Sequence, residues 1–210
     1  MDLSNGISSV IPSVHGTVLG VLGRTSQPLS GRGVAELVGD RASQKGVYLV
    51  LRSLVAAGIV TAQEHPSTIL YQLNHEHLAA ESIIALANLR ERLIAAIREH
   101  VTSWTTAPYG AWIFGSFARG TAGLKSDVDV FVVRPNNTAL DNEQWRTQLR
   151  DVAHKVRAWS GNDCQIAEFS QKEFAQLFAN NDRLAQDLRT DSIALTSRRL
   201  PARTSKGSGA

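Results

Sequence analysis

The stretch WIFGSFARGTAGLKSDVDVFVV, residues 112–133, decides how the rest of the chain is read. It opens on an apolar run that stops at Gly115-Ser116 and closes on a second apolar run, 128–133, that carries Asp129. Short apolar runs bounded by glycine and polar residues read as buried strands. The first strand would deliver Gly115 and Ser116 to the start of a helical turn. A glycine there lets the backbone approach a ligand with no Cβ in the way, and the following amides with the Ser116 hydroxyl can hold a phosphate. Asp127 and Asp129 are two apart in the second expected strand, so their carboxylates would point to one face and share a divalent cation.

Transfer of a phosphoryl or nucleotidyl group requires charge neutralisation on the phosphates and an in-line nucleophile, which carboxylates holding Mg2+ or Mn2+ supply. The expected chemistry is therefore attack at the α-phosphate of an NTP. The segment 115–129 resembles the G-S-x-A-R-G, spacer, S-D-x-D signature of minimal nucleotidyltransferases of the polymerase-β-like superfamily. The resemblance implies that Gly115 and Ser116 contact nucleotide phosphates, that Arg119 and Gly120 shape the loop, and that Asp127 and Asp129 are catalytic metal ligands. It reaches weakly to about residue 200, roughly half of the chain. An isolated D-x-D carries little information; joined to an upstream strand and G-S-x-A-R-G at this spacing it is far more specific.

Members of that family usually carry a third carboxylate on a neighbouring strand. Here the matching stretch is GNDCQIAE, 161–168, and the alignment puts Gln165 where an aspartate would sit. Asp163 falls on the same face at the strand's end, and Glu168 on the opposite face by alternation. The departure bears on turnover more than on nucleotide binding.

Outward from the motif, residues 105–200 alternate strand and helix, with a helix expected over 142–160, a strand over 164–169, a helix over 171–189 and a short strand over 192–196. This gives an α/β domain with a small mixed sheet flanked by helices. Residues 1–75 follow another grammar. Helices are expected over 13–23, over 31–38 capped by Ser30, and from Ser43 to a stop at Gly58, followed by strands over 59–62 and 68–73 around a loop at 64–67. Three helices and a hairpin make a winged helix-turn-helix, so the fold class as a whole is α+β followed by α/β. Residues 76–104 read as one long amphipathic connector helix from about His77, and as a candidate dimer seam. Residues 201–210 read as a disordered basic tail.

In a winged helix the start and flank of the third helix face the major groove, which nominates Ser43, Gln44, Lys45 and Tyr48 for double-stranded DNA, with Arg41 and Arg52 on phosphates. Against this, residues 1–75 carry only five basic and four acidic side chains, a weak electrostatic footprint.

The bulk numbers agree with a globular protein: 210 residues, 43% hydrophobic, 20% charged. The net charge is only +3. Arg189, Arg198, Arg199, Arg203 and Lys206 against Asp191 place the whole surplus near the end of the chain. The high isoelectric point thus argues for a basic tail and not a basic fold. No membrane-spanning run and no secretory signal are recognisable, so a cytoplasmic location is expected. A single cysteine, Cys164, excludes a disulfide framework and reads as a small buried hydrophobe. His75 and His77 suit surface or capping roles better than metal binding, and the four tryptophans suit core packing better than base stacking.

Two functions follow. One is an enzyme that moves a nucleoside monophosphate from an NTP to a hydroxyl of a protein or RNA; small members of the resembled family often act as antitoxins, which implies a protein partner. The other is a DNA-binding transcription regulator whose nucleotidyltransferase domain is a nucleotide sensor, a reading that Gln165 favours. A homodimer is expected by analogy with paired half-site readers.

Overall fold

The computed structural model describes residues 1–202 and divides into two compact units. One comprises Asp2 and the chain from Ser4 to Arg92; the other comprises Met1, Leu3 and the chain from Leu93 onward. The expected basic tail lies, from Arg203 on, outside the described residues. No helix among the described residues is long and apolar enough to cross a membrane.

The amino-terminal unit holds α1 (Gly6–Val10), α2 (Val14–Leu22), β1 (Leu29–Ser30), α3 (Gly31–Val38), a 3-10 turn (Gly39–Arg41), α4 (Gln44–Ala56), β2 (Val60–His65), β3 (Thr68–Leu73) and α5 (Ala80–Ala87). The two serine caps form as their sequence suggests. Ser30 Oγ accepts from the Gly33 amide at 3.0 Å, and Ser43 Oγ from the Gly46 amide at 3.1 Å. Val47, Val50, Leu51 and Leu54 recur at helical spacing, so α4 buries one stripe against Val18, Leu22, Val34 and Val38. The three strands pair antiparallel in the order β1-β3-β2.

Three details depart from the sequence expectation. α1 and β1 were not expected at all; α1 is a five-residue turn, too short for a periodic signal. β2 keeps Glu64 and His65, read as loop, and pairs His65 with Thr68 across a two-residue turn. Five of its six residues are exposed, so no alternation marks it and backbone pairing alone decides its length. Finally, the single connector helix is two helices. Asn88 leaves helical geometry at φ −103° and ψ 25°, with its side-chain amide donating to the Ile84 carbonyl at 2.7 Å. A side chain that bonds its own backbone offers the chain an alternative to the helix, and an apolar periodicity that runs through the break does not register it.

The second of those helices, α6 (Leu89–Thr102), contributes Leu93, Ile94, Ile97 and Val101 to the carboxy-terminal core. There follow β4 (Gly110–Phe114), α7 (Gly115–Arg119), β5 (Val128–Arg134), α8 (Glu143–Ser160), β6 (Cys164–Ser170), α9 (Gln171–Ala179), α10 (Arg183–Asp191) and β7 (Ile193–Ala194). The sheet is mixed, ordered β6-β5-β4-β7, with β5 and β6 parallel and the other pairs antiparallel. Alternation sorts its two faces. Ala111, Ile113, Val128, Val130 and Val132 pack with residues of α6 and α8, whereas Trp112, Phe131 and Val133 pack with Phe174, Phe178 and Leu188 of α9 and α10.

The expected helix over 171–189 is also interrupted. Asn181 adopts φ +52°, and its carbonyl and side-chain oxygens accept from Gln186 Nε2 and an Arg189 NH group, each at 2.9 Å. Asparagine tolerates this left-handed geometry better than most residues.

Candidate active site

β4 ends at Phe114, which stands opposite Asp129 in the antiparallel register with β5. The next residue, Gly115, turns the chain into α7 with φ +71°. A Cβ on Gly115 would lie 2.3 Å from Asp129 Oδ2, so this glycine is required both by its backbone angle and by the carboxylate beside it. α7 is closed by Gly120 at φ +74°, and the Thr121 amide bonds back to the Ser116 carbonyl at 3.0 Å. The motif's two halves are thus brought together: Gly115 and Ser116 at the end of one strand, Asp129 at the start of its neighbour.

Asp127 is placed differently from the expectation. It lies in the loop that precedes β5, one residue before the strand begins, and not in a strand beside Asp129. Its two neighbours are tethered instead. The Val128 amide donates to the Asp163 carbonyl at 2.8 Å, and the Ser126 carbonyl accepts from Asn162 Nδ2 at 3.0 Å. Asp127 and Asp129 are both half-buried. Burial pushes the Asp129 carboxyl above the usual carboxylate range, the adjacent Asp127 charge pushes it further, and Arg119 opposes them. A like-charged pair of this kind is what a bound cation relieves, and the two oxygen-rich side chains fit Mg2+ or Mn2+ chemically.

Arg119, nominated for the nucleotide loop, is exposed, with one NH group 3.5 Å from Asp191 Oδ2 at the end of α10. Asp191 was not foreseen; 72 residues separate the two and no local pattern links them. The parallel register sets Asp129 opposite Gln165, which is exposed, so the position expected for a third carboxylate holds an amide. Asp163 is engaged in an ion pair with Arg157. Glu168 stands in register with Val132, where its carboxylate accepts the Trp145 indole N–H at 2.8 Å and pairs with Arg134 at 2.9 Å. Among the described residues no three His, Cys, Asp or Glu side chains are gathered to hold a metal ion.

Cys164 is half-buried, its thiol pushed up to about 12 by burial and then by the Asp129 and Asp127 charges, so it stays neutral. A cleft of about 970 Å3 lined by Tyr109, Phe174, Arg198 and Arg199 shares no residue with this group. Trp104, Trp112 and Trp145 are buried as expected, while Trp159 is 43% exposed. His77 caps a turn, its Nδ1 accepting from the Ala79 amide at 3.1 Å.

In the amino-terminal unit, Gln44, Lys45, Tyr48 and Arg52 lie exposed along α4. Ser43 is exposed, but its hydroxyl serves the helix cap. Arg41 donates through Nε to the Val38 carbonyl at 3.1 Å.

Residues 91–181 match the family model of the nucleotidyltransferase domain. No curated protein matches the chain. Among solved structures, a toxin-antitoxin with AMP-PNP is 19% identical over 52% of this chain and 74% of that one, with a TM-score of 0.33. A candidate nucleotidyltransferase from Sulfolobus solfataricus is 18% identical over 49% and 76%, with a TM-score of 0.30. Human N-acetylserotonin methyltransferase in complex with SAM is 17% identical over 45% of this chain, with a TM-score of 0.28, and this chain spans only 31% of its length. Likenesses this distant carry no functional argument.

Proposed function

We propose that the carboxy-terminal unit binds an NTP and transfers its nucleoside monophosphate to a hydroxyl of a protein or RNA. The observation that carries this reading is the meeting of Gly115 with Asp129: a carboxylate that senses the Asp127 charge stands against a backbone turn that has no side chain to block a phosphate. The acceptor hydroxyl oxygen would form a bond to the α-phosphorus and release its proton to solvent as the α–β bridging bond breaks and pyrophosphate leaves. Gly115 and Ser116 would hold phosphate oxygens through backbone amides and the Ser116 hydroxyl, and Arg119 and Gly120 would set the loop that presents them. Asp127 and Asp129 would hold a divalent cation, Mg2+ or Mn2+, which would supply charge neutralisation on the phosphates.

The amino-terminal unit is read as a winged helix that binds double-stranded DNA, on the support of α2, α3 and α4, the β2–β3 hairpin that follows them and pairs with β1 in an antiparallel sheet, and an exposed α4 flank of Gln44, Lys45, Tyr48 and Arg52. Arg41 suits a phosphate contact, and Ser43 fixes the helix start. The protein partner implied by an antitoxin-like role and a homodimer belong to the same reading.

A second reading has a specific observation in its favour. Gln165 in register with Asp129 cannot accept the proton of an attacking hydroxyl, which suits a nucleotide-sensing transcription regulator. Incubation with each α-labelled NTP and Mg2+ or Mn2+, with and without cell extract, separates the two. Label on a macromolecule with wild type, and none with Asp127→Ala/Asp129→Ala, is expected of the enzyme. Nucleotide binding without transfer would replace it with the sensor.

A further inference from the structure

Asp127 poses a problem that the sheet does not solve: it precedes β5, so no ladder bond of its own fixes it. The Asn162 side chain sits where such a bond would otherwise act. Asn162 is 4% exposed, a buried polar group that needs partners. Its Nδ2 donates to the carbonyls of Ser126 at 3.0 Å and Leu124 at 3.3 Å, and its Oδ1 accepts from the Met1 amino group at 2.8 Å. Two carbonyl acceptors admit only the NH2 end of the amide, so its orientation follows from the partners.

Asn162 is itself immobilised. It follows Gly161, the left-handed cap of α8, and its own amide donates to Ser160 Oγ at 3.1 Å, while that hydroxyl donates to the Val156 carbonyl at 2.7 Å. The held loop is tight as well: the Gly123 amide donates to Ser126 Oγ at 3.0 Å and the Ser126 amide to the Gly123 carbonyl at 3.2 Å. One step further along, the Val128 amide bonds the Asp163 carbonyl. Asp127 is therefore bracketed on both sides by the pair Asn162-Asp163, once through a side chain and once through the backbone.

We infer that Asn162 is a positioning residue for the cation site: it sets the loop 123–126 so that the Asp127 carboxylate converges with that of Asp129. The inference rests on the proposed nucleotide site but concerns a residue outside its motif. Substitution by alanine removes the two bonds to the loop and the one from the Met1 amino group, while the backbone bond from Val128 to Asp163 remains, so the site loosens without collapsing.

The test uses the full chain with Asn162→Ala and Asn162→Asp, and Asn142→Ala as a stability control, because Asn142 caps the far end of α8 without touching the loop. Hydrogen exchange of amides 123–128 is measured beside the Mn2+ concentration that half-saturates NTP binding. Both Asn162 variants are expected to exchange faster in the loop while Val152 and Val156 stay protected, and to need roughly tenfold more Mn2+, the scale of two lost neutral hydrogen bonds. Asn142→Ala should lower Tm with no change in Mn2+ requirement. Unchanged loop exchange in the Asn162 variants, or a Mn2+ requirement equal to wild type, overturns the inference. Absence of any Mn2+-dependent NTP binding in wild type defeats the functional reading on which it rests.

Discussion

Gly115 and Asp129 constrain one another, and each can be probed alone. Alanine at 115 meets both a left-handed φ and the Asp129 carboxylate, so Gly115→Ala should lose about 1–3 kcal/mol of stability together with nucleotide binding. Denaturant titration and nucleotide titration of one sample measure the two. Asp129 makes an opposite prediction. Its carboxyl is raised in the folded state, so the neutral form is favoured there and the fold loses stability as pH rises through that value. Asp129→Asn is therefore expected to melt at a higher temperature than wild type at neutral pH. The gap should close as pH falls below the ordinary carboxylate range, where both side chains are uncharged. Equal melting temperatures at pH 7 would show that burial and the Asp127 charge impose no penalty.

At the level of elements, caps and turns were far more legible than helix breaks. Ser30 and Ser43, the two caps expected from the sequence, accept from an amide in the first turn of their helices; Asn142 and Ser170 do the same without having been expected as caps. Local chemistry determines such contacts, and they can be read from spacing. Asn88 and Asn181 interrupt helices within runs that keep an apolar period, and nothing in a hydropathy pattern distinguishes an asparagine that bonds its own helix from one facing water. The caps also separate two roles on α4. Ser43→Ala should lower stability by about 1 kcal/mol. Arg52→Ala should leave stability in place, weaken DNA binding across sequences and reduce the salt slope by about one, as expected of a phosphate contact. Melting curves and binding isotherms at several salt concentrations check both; an Arg52 variant with wild-type salt dependence removes Arg52 from the DNA surface.

For the whole molecule, the division into units does not follow chain order alone. Leu3 is fully buried in the carboxy-terminal core, although its neighbours Asp2 and Ser4 belong to the other unit. All four tryptophans fall after Leu93, so intrinsic fluorescence reports the carboxy-terminal unit. Leu3→Ala, some 90 residues away from that unit's main segment, is expected to reduce its stability by about 2–5 kcal/mol as a core truncation. Fluorescence-detected unfolding provides the measurement, and an unchanged midpoint would place Leu3 outside the core.

The sequence by itself determined the strand-Gly-Ser turn, the Asp127/Asp129 pair, the glutamine at 165 and the order of most elements, because these depend on residue type and short-range spacing. Only the tertiary structure decided that Asp127 stands outside its strand, that Asp163 and Glu168 are spent on Arg157, Trp145 and Arg134, and that Asn162 grips the loop before the motif. Each of these depends on register or on a partner distant in the chain. A residue's type gives what it can bond to, and packing decides which of those bonds it makes.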